Sequence, residues 1–307
     1  MMPPQAPRLF NFLRLSPAAF SLSTLLLLSS ILLMMWRGFH WGLDFTGGLS
    51  LELQLSQAQS TESLQQCLQQ AGFPQAQIQH LGSSRELLVR LAPSATLSQE
   101  RLSQQLVTVI QQQLDPQVSL QRLEWVGPHV GAELVQTGFL ALLASLLAIL
   151  LYVTLRFEWR LACSAVLALT HDVIIVLGAL SLLQIAFDLT LIAALLSVVG
   201  YSLNDTIVVF DRIRENSRGY PHCDTSYIIN LSLTQTLSRT LITSATTLVV
   251  VLALLLWGGP LLQGFSVVLL IGIVVGTFSS IYVASALALK LGLQPQQLLP
   301  TVVQSED

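Results

Sequence analysis

The chain has 307 residues, 52% of them apolar and only 10% charged, with a mean hydropathy of +0.66. A soluble domain carries about 25% charged residues, so this composition excludes one and leaves a polytopic membrane protein. Fourteen basic against seventeen acidic residues give a net charge of −3, which excludes a basic nucleic-acid footprint. The three cysteines, Cys67, Cys163 and Cys223, are far apart and form no C-x-x-C pair, so zinc-knuckle, thioredoxin-type and disulfide-dense readings fall, and no intrachain disulfide is expected.

A membrane-spanning helix needs about 20 mostly apolar residues. Residues 1–17 precede the first such stretch, Ala18–Trp36. Its core is too long for a signal-peptide h-region, and Trp36-Arg37-Gly38-Phe39 offers no small-residue cleavage site, so it reads as an uncleaved anchor. Residues 37–133 have ordinary soluble composition and are expected to form a separate domain. Within them Leu49–Leu55 alternates as a strand, Thr61–Ala71 reads as a helix capped by Ser60 or Thr61, and Ala76–Leu81 and Glu86–Leu91 flank Gly82-Ser-Ser as a hairpin. Leu97–Leu114 has helical spacing and Val118–Val126 alternates again. Strand, helix, two strands, helix, strand is the ferredoxin-like order, a split βαβ sandwich. Its two histidines, His80 and His129, stand without partners, and the domain reads as a docking or spacer module.

Five further spans follow: Leu134–Leu155, Leu161–Leu183, Leu189–Phe210, Leu241–Trp257 and Phe265–Leu289. Residues 211–240 are expected to be a cytoplasmic loop and residues 290–307 a cytoplasmic tail. Arg156, Arg160, Arg212, Arg214, Arg218, Arg239 and Lys290 sit at one set of ends, and the opposite short loops, Gln184–Asp188 and Gly258–Gly264, carry no Lys or Arg. The excess of cations in short cytoplasmic loops places both termini in the cytoplasm and residues 37–133 on the outer, periplasmic side.

An acid inside a span costs roughly 2.5–3.5 kcal/mol on insertion scales and needs a reason. Asp172, with His171 beside it, lies eleven residues into the third span, about 16 Å deep at 1.5 Å per residue. Asp205, after Asn204, lies about 8 Å from the cytoplasmic end of the fourth span, at a depth Arg239 can reach from the fifth. A buried acid and a cation that pair in one state and part in another make a proton switch, because pairing favours the charged acid and separation disfavours it. A static ion pair is the alternative. Asp211 and Arg212, near Arg214 and Glu215, read as a membrane-edge charge cluster. Thr236, Thr240, Thr243 and Thr247 share a helical face by their 4-3-4 spacing, as a proton relay or as packing glue. Gly272-Ile-Val-Val-Gly276 followed by Ser279 is a small-residue packing row. H-E-x-x-H, G-x-S-x-G and G-x-x-x-x-G-K-[ST] are absent, so hydrolase, metalloprotease and ATPase readings lack support, no metal site or cofactor is expected, and work would draw on an ion gradient.

Gly200-Tyr-Ser-Leu-Asn-Asp-Thr-Ile-Val-Val-Phe-Asp-Arg-Ile-Arg-Glu-Asn216 closely resembles the fourth span of the SecF branch of the SecD/SecF protein-export family. Gly42-Leu-Asp-Phe-Thr-Gly-Gly48 (with Asp44, Gly47 and Gly48), Val126–Leu134 (with Gly127, Pro128 and Gly131), Arg156–Arg160 and Ser238–Thr247 agree in order. The resemblance implies an α-helical half of the resistance-nodulation-division (RND) superfamily type, six spans with a small α+β periplasmic domain, in the bacterial inner membrane. It implies a SecD partner related by a pseudo-two-fold axis along the membrane normal. It further implies work beside the SecYEG channel and SecA motor, with YidC and YajC as candidate partners, drawing exported polypeptide outward with the proton gradient. It places Asp205 and Arg239 in the proton path, with His171, Asp172 and Asn204 matching the family pattern. A proton-coupled exporter of small apolar molecules and a non-transporting assembly factor are the alternatives.

Overall fold

In the computed structural model, residues 9–74, 76–80, 83–91, 99–294 and 298 are described. Six long apolar helices carry the membrane part: α1 (Ser16–Arg37), α5 (Pro128–Arg156), α6 (Trp159–Leu183), α7 (Leu189–Gly219), α8 (Thr225–Trp257) and α9 (Gly259–Phe278). The last continues through a π-helical turn, Ser279–Ala284, into α10 (Ser285–Lys290). The α+β domain lies between α1 and α5 and comprises α2 (Leu43–Thr46), β1 (Gly48–Gln54), α3 (Thr61–Gln70), β2 (Gln77–His80), β3 (Glu86–Leu91), α4 (Gln99–Gln113) and β4 (Ser119–Val126).

The sheet is antiparallel throughout, in the order β2-β3-β1-β4, which is the ferredoxin-like arrangement. Alternation explains the layer. Leu49, Leu51, Leu53 and Leu55 all point to one face, where they meet Leu64 and Leu68 of α3 and Leu102, Leu106 and Ile110 of α4. Asp115 fastens the end of this layer. Its carboxylate accepts from the Ser56 amide (2.6 Å), the Ser56 hydroxyl (2.8 Å) and the Gln117 amide (3.0 Å). Burial opposes its charge, but these donors outweigh it and hold the carboxyl below the usual range. Gly82 of the expected hairpin turn, and Leu97 and Ser98 of the expected helix start, lie outside the described residues.

Two expectations from sequence need correction. Residues 211–240 are not a loop. Helix α7 runs on to Gly219 and α8 begins at Thr225, so the connection is only 220–224. At 1.5 Å per residue, 31 and 33 residues give rods of about 46 and 50 Å, well beyond the roughly 30 Å hydrocarbon core. The extension holds because it packs and bonds. Ile213, Ile228 and Ile229 are buried, Asn216 Nδ2 donates to Ser232 Oγ (2.8 Å) and Gln235 Oε1 (2.9 Å), and Asp224 caps α8 by accepting from the Ser226 amide. Helix α5 likewise starts six residues before the expected span, with Gly127 as cap and Pro128 in its first turn. The segment before α1 lies along the same extension of α8: the Phe10 amide donates to Thr234 Oγ1 and the Leu13 amide to Asn230 Oδ1.

The glycines after α1 build the base of the α+β domain. Gly47 (φ +66) and Gly48 (φ +124) turn the chain from α2 into β1, and a Cβ on Gly48 would sit 2.3 Å from the Leu91 carbonyl oxygen. A Cβ on Gly131 would lie 3.2 Å from the Phe45 carbonyl oxygen, and one on Gly42 2.8 Å from that of Phe187. The α6–α7 loop is tied in by Gly42 N–H to Phe187 O and Phe187 N–H to His40 O, both 2.7 Å, among the rings of Phe39, Trp41, Phe45 and Phe187. Gly48→Ala is therefore expected to destabilise the α+β domain by about 1–3 kcal/mol, from the left-handed conformation and the carbonyl clash. Limited proteolysis of membranes should show faster cleavage between residues 48 and 126, with the membrane helices protected as in the wild type.

Candidate functional site

The site lies where α6, α7, α8 and the π-turn meet. Helices α7 and α9 approach closely because α9 offers glycine at the contact. A Cβ on Gly272 would lie 2.2 Å from Val198 Cγ2, and one on Gly276 3.0 Å from Ser202 Cβ. One turn further along, the π-turn presents two adjacent serines, both fully buried.

Those serines reach two different carboxylates. Asp172, 1% exposed on α6, accepts at Oδ2 from Ser202 of α7 (2.6 Å) and Ser279 of the π-turn (2.7 Å). Its Oδ1 lies 2.9 Å from His171 Nδ1. Asp205, 8% exposed on α7, accepts at Oδ1 from Thr240 of α8 (2.5 Å) and at Oδ2 from Ser280. Each acid thus sits in a cage of hydroxyls from helices other than its own, which is what a carboxylate withdrawn from water requires. Hydroxyls both donate and accept, so the same cage serves the ionised and the protonated acid. A third link, Tyr201 OH to Ser244 Oγ (3.0 Å) to Thr277 Oγ1 (2.7 Å), joins α7, α8 and α9 one turn away.

The expected residues divide. Asp172, His171 and Asp205 are buried, the two acids with hydroxyl partners and His171 against Asp172. Arg239 and Asn204 are exposed, and no ion pair joins Arg239 to Asp205 among the described residues. Helix phase is the reason. Thr240 faces Asp205, and one residue earlier Arg239 is turned by about 100°. The pairs Tyr201–Ser244, Asp205–Thr240 and Asn216–Ser232 make α7 and α8 antiparallel. Stepping back one residue on each then turns Asn204 and Arg239 to the same open side of the pair. The buried hydroxyl row of α8 is Ser232, Thr236, Thr240 and Ser244, whereas Thr243 is exposed. Ser202 and Ser280 were not singled out from sequence. Ser202 stands one turn before Asp205 on the same helix face, which is a usable signal; Ser280 needs the π-turn.

The remaining motif residues lie at the two ends. At one, Asp44 Oδ2 accepts from the Leu189 amide (3.0 Å), the first residue of α7, and Asp188 caps the same helix by accepting from Leu191 (2.9 Å). Burial, with Asp44 nearby, raises the Asp188 carboxyl above its ordinary range despite these amides. At the other end Asp211 pairs with Arg156 (2.6 Å) and Arg212 with Glu215 (3.0 Å), all partly exposed and worth at most about 1 kcal/mol each.

Residues 106–294 match the family described as "Protein export membrane protein SecD/SecF, C-terminal", and residues 37–59 match the "SecD/SecF GG Motif". The chain belongs to the SecD/SecF family. It is 52% identical to the protein translocase subunit SecF of Vibrio alginolyticus, over 98% of this chain and 96% of that one. It is 51% identical to the subunit of the same name from Escherichia coli O157:H7, over 97% of this chain and 93% of that one. It is also similar to the crystal structure of SecDF, a translocon-associated membrane protein from Thermus thermophilus, at 40% identity and a TM-score of 0.84, over 95% of this chain. The chain spans only 40% of that SecDF chain. The family is one of non-enzymatic export subunits, and the chain is a multi-pass membrane protein of it.

Gly272→Val is expected to cost about 1–3 kcal/mol by forcing α9 from Val198 and opening both hydroxyl cages, lowering the membrane level of the protein. Gly200→Ala, where the added carbon meets no atom of another helix within 4 Å, should leave that level unchanged; immunoblots of membranes compare the two. For Asp188, a raised folded-state value means that charging it opposes the fold, so stability falls as pH rises from about 4 through the raised value. Asp188→Asn keeps the cap and removes the charge. Its melting temperature should exceed the wild type's at pH 7 and the difference should vanish near pH 4.

Proposed function

We propose that this chain is the SecF-type partner of a SecD subunit in the bacterial inner membrane, and that it uses the proton gradient to promote export of polypeptides through SecYEG after the SecA-driven step. Asp205 is the working acid. In the arrangement described, it is held by Thr240 and Ser280 with Arg239 turned away. Proton arrival and release alternate with approach of Arg239, which favours the charged acid. Arg239 needs only to swing round one face of α8 to reach it. Proton uptake, not a bound cofactor, supplies the energy.

The observation that carries this reading is the pair of caged carboxylates on helices tied to the α+β domain. Helix α7 bears Asp205 at its middle, and its first amide is held by Asp44 in the glycine-rich base from which β1 springs. A shift of α7 that follows protonation is thus passed to the base of that domain, which we assign to the periplasmic side with both termini cytoplasmic. The exposed polar pair Asn204 and Arg239 supports a second membrane subunit, since facing them to lipid is costly. SecD is the partner of matching family.

Asp205→Asn tests the reading, because it keeps the hydrogen-bonding shape of the cage and removes the ionisable group. Pulse-chase export of a secreted protein, in cells whose only copy carries the substitution, should slow to the level of a deletion. A protonophore should add little further defect, and the membrane level and co-purification with SecD should stay unchanged. Export at the wild-type rate would make the buried acid structural and favour an assembly role.

A further inference from the structure

Two buried polar atoms beside the site have no hydrogen-bond partner among the described residues: Ser23 Oγ on α1 and His171 Nε2 on α6. Both residues are more than nine-tenths buried, at 3% and 6% exposure. An orphaned buried donor or acceptor costs about 1–3 kcal/mol, so two in one region call for an occupant.

Helix register places them together. Ser30 meets Gly178 so closely that a Cβ on the glycine would lie 2.3 Å from Ser30 Cβ, and Ser181 Oγ donates to the Leu33 carbonyl (3.1 Å). Both contacts pair a residue of α1 with the residue 148 positions later, so the helices run parallel with a constant offset. The same offset, applied to Ser23 seven residues before Ser30, lands on His171, seven before Gly178. Seven residues are two turns of packed helices, so the seam that joins Ser30 to Gly178 returns to the same faces at Ser23 and His171. The buried positions of α1, Ala19, Ser23 and Ser30, are all small.

We infer that a water molecule bridges Ser23 Oγ and His171 Nε2, and that this hydrated seam is where Asp172 exchanges protons. A water fits because it donates to one group while accepting from the other, and two polar partners are the minimum that hold one. With Nδ1 donating to Asp172, a neutral His171 offers Nε2 as an acceptor. An excess proton that reaches the bridging water from solvent passes to Nε2 and leaves neutral water behind; the imidazolium so formed gives its Nδ1 proton to Asp172 Oδ1. Neutral Asp172 and the Nε2–H tautomer remain, and the reverse transfer restores both. Among the described residues, Asp172 is the ionisable group bonded to the ring; α1 contributes the Ser23 hydroxyl, while α7 and the π-turn contribute Ser202 and Ser279 to the far side of the carboxylate. Adjacent Ser279 and Ser280 then link this branch to Asp205. Ser23 is a positioning residue for this exchange.

This inference rests on the reading that the buried acids carry protons, but its test needs neither a gradient nor export. The full-length protein, labelled with 15N-histidine in phospholipid vesicles, is transferred to deuterated buffer, and exchange of the His171 ring protons is followed by solid-state NMR. His171→Asn assigns the signals. Ser23→Val and Ser23→Thr have the same shape and differ by one hydroxyl. Wild type and Ser23→Thr should exchange at similar rates, and Ser23→Val at least tenfold more slowly. Equal rates in all three, or a Ser23→Thr as slow as Ser23→Val, would overturn the proposal. Hydroxyl-dependent exchange together with normal export by Asp205→Asn would leave the water in place and remove the transport reading instead.

Discussion

A carboxylate inside a membrane-spanning bundle must be hydrogen-bonded, and much of this molecule is arranged around two of them. Asp172 and Asp205 lie on neighbouring helices, and neither is paired with an Arg or Lys among the described residues. Apart from His171 beside Asp172, their partners are hydroxyls delivered by other helices, and delivery requires close approach. Gly272 and Gly276 let α9 settle on α7, and the wider π-turn that follows lets consecutive serines address acids on two different helices. In a regular helix successive side chains diverge by about 100°, so one turn serving both acids is a local departure that the packing has to maintain.

Hydroxyl cages differ from salt bridges in what they permit. An ion pair commits its acid to the charged form, whereas serine and threonine accommodate both protonation states. Arg239, one residue from Thr240, is exposed and takes no part in the cage of Asp205.

The second organising constraint lies at the base of the α+β domain. Residues from four distant stretches, 40–48, 91, 131 and 187–189, converge there through backbone contacts so close that glycine is required. Asp44 at the head of α7 makes this base continuous with the helix that bears Asp205. The α6–α7 loop is joined to this base backbone to backbone, and α7 itself through the short Asp44 side chain.

The six apolar helices, the ferredoxin-like order of the α+β domain and the two acids within the apolar helices were legible in the chain, because hydropathy and alternation are properties of consecutive residues. So was the small-residue row of α9. What the sequence did not disclose depended on rotation and on partners. Asn204 and Asp205 are neighbours in the chain but face outward and inward, Arg239 and Thr240 likewise, and the choice is made by which face α7 and α8 turn to each other. The helical continuation through 211–219 and 225–240 looked like a polar loop because its stabilising contacts, such as Asn216 with Ser232, join two segments to each other. The order of apolar and polar residues along the chain therefore determined that this is a six-helix membrane protein with acids inside its helices. Only the tertiary structure decided which hydroxyls hold them, because a hydrogen bond between helices depends on register and phase that no single helix contains.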